Sequence, residues 1–145
     1  MKIMVEMESP SSDIQSLREM SALLVFMNRD RTGTTFETIE LDGAGPAVIV
    51  NRLAKGVLLV CHYDTVHPAG TIKQFPLSID ENIISGTGIY DMKEGIAMSI
   101  WALKFLKENS PYPPPVIILI APDEEAGSLN SSELIGKLAA LPRCL

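Results

Sequence analysis

The chain has 145 residues, 46% of them hydrophobic and 21% charged, with a net charge of -6. That length leaves room for one domain with a real core, and the mixture fits a soluble globular protein. The acidic balance argues against a nucleic-acid partner, which needs basic surface to replace phosphate counterions, and no run reaches the roughly 18 apolar residues of a membrane span.

Met1–Met7 carries Lys2 and then Glu6, and its apolar stretch is too short for a signal peptide. Ser11, Ser12 and Asp13 can cap a helix in which Ile14, Leu17, Met20, Leu24 and Met27 recur at helical spacing as a core-packing stripe. The charges and glycine of Asn28–Gly33 are expected to end it. Thr34–Leu41 is rich in β-formers, Asp42–Pro46 is a turn, and Ala47–Leu53 reads as the next strand. Val57–Cys61 is a continuous apolar run, the pattern of a strand buried on both faces of a helix-covered sheet. Cys61 within it reads as a buried small residue and not a nucleophile. Cys144 is far away, no C-x-x-C pair exists, and a reducing, cytoplasmic setting is the default.

Pro68–Gly70 turns the chain, and Phe75–Ile79 with Ile83–Ser85 suggests a hairpin around Asp80-Glu81-Asn82. Lys93–Glu108 is a helix whose broad apolar face takes in Ile96, Ile100, Trp101, Leu103 and Phe105. The proline-rich Ser110–Pro115 is a stiff connector, Val116–Ala121 a second buried strand, and Ser131–Ala140 a last helix. This order predicts a three-layer α/β/α sandwich with a mostly parallel sheet.

The polar chemistry gathers at one edge of that sheet. His62 and Asp64 follow the first buried strand, and Asp123, Glu124 and Glu125 follow the second, at the strand ends where open α/β sheets bind ligands. Alternation along an extended segment points His62 and Asp64 the same way, so a carboxylate can hold one ring N–H while the other nitrogen donates to a metal. Gly86-Thr87-Gly88-Ile89-Tyr90-Asp91 precedes the long helix; a dinucleotide loop needs a third glycine where Asp91 stands, and a carboxylate would repel pyrophosphate. Asp91 alone could instead cap the helix, and Asp123-Glu124-Glu125 alone could be a solvated acidic turn. Together, one imidazole and several carboxylates without thiolates favour zinc, manganese or cobalt in a hydrolytic site.

These segments, His62-Tyr63-Asp64-Thr65-Val66, Gly86-Thr87-Gly88 through Asp91-Met92-Lys93 with Gly95, and Asp123-Glu124-Glu125 with Gly127-Ser128, resemble the three ordered motifs of the M20 metallopeptidase family. The likeness is greatest to its glutamate carboxypeptidase branch, which Glu8-Ser9-Pro10-Ser11 also resembles, and it fits better than the related M28 aminopeptidases. The resemblance implies an incomplete zinc-peptidase-like fold and two zinc ions, with cobalt or manganese as possible substitutes. It implies His62 as a ligand of one ion, Asp64 behind it, Asp91 bridging both across a cis Asp91–Met92 bond, and Glu125 on the second ion. Glu124 is then the general base that takes a proton from water as it attacks an amide carbonyl and passes it to the leaving nitrogen. His67, five residues after His62, is read as a non-ligand near the entrance, and Lys93 as a loop support.

By the same resemblance, two further ligands and a smaller dimerisation domain lie outside residues 1–145, so the chain is expected to be part of a catalytic domain. Leu138–Leu145 does not continue as such relatives do, as a frameshift, a split gene or a truncation would produce. Each metal then keeps too few ligands, and weak metal binding with little turnover is expected of the isolated chain. The implied substrates are small peptides or N-acyl amino acids. The alternative is a non-catalytic remnant, or a subunit acting with a second chain that supplies the missing elements.

Overall fold

The computed structural model describes residues 2–52 and 56–141. Leu53, expected to end a strand, and Cys144 lie outside the described residues. A short helix absent from the sequence expectation comes first, α1 (Lys2–Glu6), with Met4 and Val5 buried. The capped helix follows as α2 (Ile14–Thr32). Asp13 is its N-cap, accepting from the backbone N–H groups of Gln15 and Ser16 at 3.1 and 3.2 Å, and Gly33 closes it in the left-handed region at φ 56°. The helix therefore runs through Asn28, where a break was expected. Asn28 donates its side-chain amide to the Leu24 carbonyl, and Thr32 its hydroxyl to the Asn28 carbonyl, so these polar residues bond within the helix.

The main sheet contains β1 (Phe36–Ile39), β2 (Ala47–Val50), β3 (Val57–His62) and β6 (Val116–Ala121), in the order β1-β2-β6-β3. The expected hairpin forms from β4 (Ser78–Asp80) and β5 (Ile83–Ser85), with α3 (Glu94–Asn109) between it and β6, and α4 (Ser132–Ala139) last. The sheet was expected to be mostly parallel. Among the described strands the parallel pairing is β3–β6, while β2–β6 and β1–β2 are antiparallel. The cause is the short turn after β1, which can only fold the chain back on itself, whereas α3 supplies the crossover that a parallel neighbour needs.

The three layers follow from strand alternation. Val116, Ile118 and Ile120 face Leu17, Met20 and Leu24 of α2 and Ile96, Ile100 and Leu103 of α3. Ile117 and Leu119 face the other way, against Leu138 of α4. A tight corner joins core and sheet at Gly45, where a Cβ would lie 2.5 Å from the Leu17 Cβ and 2.8 Å from the Tyr63 hydroxyl. That hydroxyl donates to the Pro46 carbonyl at 2.7 Å, which ties the turn to the end of β3.

Three expected burials are not found. Ile14, at the exposed first turn of α2, is 42% exposed and lies outside the core stripe. Val57 and Val60 of β3 are 52% and 47% exposed, because β3 is an edge strand of the described sheet. Trp101 and Phe105 point outward at 58% and 65%; α3 buries only the narrower Ile96–Ile100–Leu103 stripe. Among the described residues, no helix is long and apolar enough to cross a membrane.

Candidate metal centre

Because β3 and β6 run parallel and in register, with Cys61 opposite Ile120 and His62 opposite Ala121, both release the chain at the same sheet edge. The Tyr63 N–H donates to the Ala121 carbonyl at 3.0 Å and carries the pairing one step beyond the strands. His62 and Asp64 are buried there, at 4% and 0% exposure.

Asp64 organises the edge. Its Oδ1 lies 3.2 Å from His62 Nδ1 and accepts from the Glu124 N–H at 3.1 Å. Its Oδ2 accepts from the Glu125 N–H at 3.1 Å and from the Ser11 hydroxyl at 2.7 Å. Burial alone would raise this carboxyl; the hydrogen bonds from His62 and Ser11, with the imidazole charge, outweigh it and hold the group below the usual carboxylate range. One carboxylate thus sets the ring of His62 and the start of the Glu124-Glu125 turn at once.

Asp91 arrives from the opposite side. Gly88, at φ 67°, starts a turn over Ile89–Lys93 in which Asp91 and Met92 leave helical geometry, joined by a cis peptide bond. A Cβ on Gly88 would lie 2.6 Å from the Thr65 Cγ2, so only glycine fits there. Asp91 does not cap α3, whose first residues have no side-chain cap, and its Oδ1 instead lies 3.0 Å from His62 Nε2.

With Glu125 the set closes: ligand atoms of His62, Asp91 and Glu125 all fall within 4.8 Å of one another. Glu124 Oε2 stands 3.7 Å from His62 Nε2. Among the described residues no lysine or arginine pairs with Asp91, Glu124 or Glu125, so this convergence of carboxylates has only an imidazole as its internal counter-charge. Burial would lower the imidazole, but hydrogen bonds to Asp64 and Asp91 and the charges of Asp64 and Glu124 lift it to about 9. Burial and the neighbouring Asp91 raise the Glu125 carboxyl. An imidazole held at Nδ1 by Asp64, with Nε2 directed at the Asp91 and Glu125 carboxylates, is a donor set that fits a divalent cation.

Other candidates fall elsewhere. His67 is outside the cluster and lines an open cleft of about 570 Å³ with Thr71, Phe75 and Thr87. Burial pushes the Cys61 thiol up, against a nucleophilic role. Lys93, 1% exposed, donates to the Met7 carbonyl at 3.2 Å, and burial, opposed by Glu8, pulls its ammonium down to about 8. Asp123 is no solvated turn residue. It is 3% exposed, and its Oδ2 accepts from the Asn130 and Ser131 N–H groups at 2.7 and 3.2 Å, shaping the loop into α4.

Sequence reasoning assigned no role at the site to Ser11 or Met92. The Met92 sulfur lies 3.3 Å from the His62 backbone N–H. Both residues lie in segments that resemble the M20 family's, Glu8-Ser9-Pro10-Ser11 and Asp91-Met92-Lys93, but each meets its partner across a long stretch of chain, so local pattern does not show the contact.

The sequence signature of peptidase family M20/M25/M40 matches residues 58–143. Carboxypeptidase G2 of Pseudomonas sp. (strain RS-16) is 37% identical over 94 residues, which are 64% of this chain and 23% of that protein. In fold, the chain is similar to the M20 metallo-carboxypeptidase Sso-CP2 of Sulfolobus solfataricus, with a TM-score of 0.76 and 24% identity over 93% of this chain and 32% of the other. It is also similar to human carnosine dipeptidase 1, with a TM-score of 0.74 and 22% identity over 94% and 33%. The chain spans about a quarter of the curated relative and about a third of each solved one. With three ordered motifs meeting at one sheet edge and more than half its length matched, the chain belongs to peptidase family M20/M25/M40.

Proposed function

We propose that the chain is the N-terminal part of the catalytic domain of a zinc-dependent amide hydrolase, of carboxypeptidase or N-acyl-amino-acid deacylase type. The observation that carries this is the meeting of His62 Nε2, Asp91 and Glu125 within 4.8 Å beside Glu124. His62 and Glu125 would each hold one ion and Asp91 would bridge them, with zinc preferred and cobalt or manganese admissible for an imidazole–carboxylate set. Zinc bound there supplies Lewis-acid activation of water and of the amide carbonyl. Asp64 fixes the His62 ring; Glu124 takes the proton of the attacking water and hands it to the leaving nitrogen.

The remaining ligands and the smaller domain are assigned to sequence outside residues 1–145, with a further strand pairing on the open edge of β3. The exposed Val57 and Val60 and the length of the relatives support this. The relatives named for carboxypeptidase and dipeptidase activity support a small peptide or N-acyl amino acid as substrate. The free, buried Cys61 agrees with a cytoplasmic setting.

The test is a hybrid in which residues 58–141 of this chain replace the matching segment of carboxypeptidase G2. Hydrolysis of dipeptides or N-acyl amino acids that is lost on chelation and restored by zinc is expected. A folded hybrid with no metal-dependent hydrolysis would contradict the reading.

Metal uptake by the chain itself has a proton signature. The imidazole at about 9 is protonated at neutral pH, and a cation at Nε2 must displace that proton. Adding zinc in weak buffer near neutral pH is expected to release about one proton from His62, read with an indicator dye. Zinc binding without proton release would place the ion elsewhere.

A further inference from the structure

We propose that Ser11 is a positioning residue of the metal centre, its hydroxyl pinning the Asp64 carboxylate so that the His62 and Glu125 arms meet the ion in one geometry. This rests on the metal-centre reading above. The Ser11 hydroxyl has one proton and two acceptors in reach, Asp64 Oδ2 at 2.7 Å and the Thr65 carbonyl at 3.4 Å. The nearer, charged acceptor takes it.

The carboxylate needs that donor. A terminal carboxylate torsion is broad and roughly two-fold, so the plane of Asp64 is set by its partners and not by its rotamer. Oδ1 is held by His62 and the Glu124 N–H, and Oδ2 by the Glu125 N–H and Ser11. Without Ser11, the oxygen that orients the Glu125 arm keeps one donor at 3.1 Å, and rotation of the group disturbs both arms together.

Ser11 is itself fixed by a brace. Its N–H donates to the Thr65 carbonyl at 3.2 Å, the Thr65 N–H donates to the Ser9 carbonyl at 2.9 Å, and Pro10 and Thr65 form a parallel bridge. The Ser9 hydroxyl donates to the Tyr63 carbonyl at 2.6 Å. Glu8 accepts from the Gly70 and Ile72 N–H groups, and Lys93 holds the Met7 carbonyl. Helix capping does not account for the serine, since Asp13 caps α2. Residues 8–11 thus bind the beginning of the chain to the extension of β3 that carries Asp64, and Ser11 is the one whose side chain reaches the site.

The experiment measures the affinity of the full chain for Zn2+ and for Co2+ by chelator competition, alongside metal-free thermal unfolding. Ser11→Ala is expected to weaken binding about tenfold, and Ser11→Thr, which keeps the hydroxyl, to stay within about threefold of the unaltered chain. Ser9→Ala removes the hydroxyl bond to the Tyr63 carbonyl but keeps the backbone pairing that holds Ser11; it is expected to lower the Tm and leave the affinity of the folded protein unchanged. Wild-type affinity in Ser11→Ala would overturn the proposal, as would an equal loss in Ser9→Ala. If Ser11→Ala does not fold, Ser11→Cys, a weak donor of similar shape, carries the same comparison. Because the ligand set within residues 1–145 is partial, the titration extends to millimolar metal; no binding of either ion even there would overturn the metal-centre reading and this inference with it, and binding indifferent to Ser11 overturns the inference alone.

Discussion

Glu124→Gln in the hybrid enzyme is expected to lower kcat by about 10²-fold or more while zinc content stays unchanged. Glu124 stands outside the three-residue cluster, with its Oε2 3.7 Å from His62 Nε2 and its side chain more than half exposed. Its backbone N–H is held by Asp64, so glutamine would keep the position and lose only the base. A group that acts in the transition state alone lowers kcat and kcat/KM together, and KM should move little. Steady-state kinetics with metal analysis of the same sample checks this. A glutamine variant as fast as the parent would remove Glu124 from the chemistry.

Asp64→Ala acts on fold and site together. The substitution removes a fully buried carboxylate that accepts from His62, Ser11 and the N–H groups of Glu124 and Glu125. It leaves those donors without their acceptor and the imidazole without its buried counter-charge, the more exposed Asp91 and Glu124 remaining. Breaking a buried charge network from one side costs about 3–5 kcal/mol, a large part of the ~5–15 kcal/mol that holds a typical domain. Urea unfolding of the metal-free chain should show that loss, and zinc affinity should fall further than in Ser11→Ala, because the ring of His62 is released. A loss under about 1 kcal/mol would mean that Asp64 is not the organiser of this edge.

The parts of this molecule written in local pattern could be read from sequence. The Leu17–Met20–Leu24 stripe, the Asp13 cap and the hairpin at Asp80–Ile83 rest on local pattern, and the structure places them as read; the apolar runs of β3 and β6 form strands as read, though only β6 is buried on both faces. That His62, Asp64, Glu124 and Glu125 gather could be read because they follow the ends of two apolar strands, and parallel pairing brings those ends to one edge, while Asp91 comes in from the turn before α3.

What could not be read depends on distant partners. An apolar run predicts burial, but whether Val57 and Val60 are covered depends on which strand lies beyond β3. Helical spacing made Trp101 and Phe105 candidates for the core, yet the width of the buried stripe is set by the sheet beneath α3, and both remain outside. Asp123 looked like its acidic neighbours until the loop folded back to place Asn130 and Ser131 on it. Ser11 meets Asp64 across 53 positions, a pairing with no trace in either local sequence.

The central claim is that this sheet edge is a metal centre. Crystals of the chain grown with zinc, with anomalous diffraction recorded on both sides of the zinc edge, test it most directly. The account predicts an anomalous peak about 2.0–2.2 Å from His62 Nε2 and from carboxylate oxygens of Asp91 or Glu125. A peak at His67 or at a lattice contact, with the space between His62, Asp91 and Glu125 empty at saturating zinc, would contradict it.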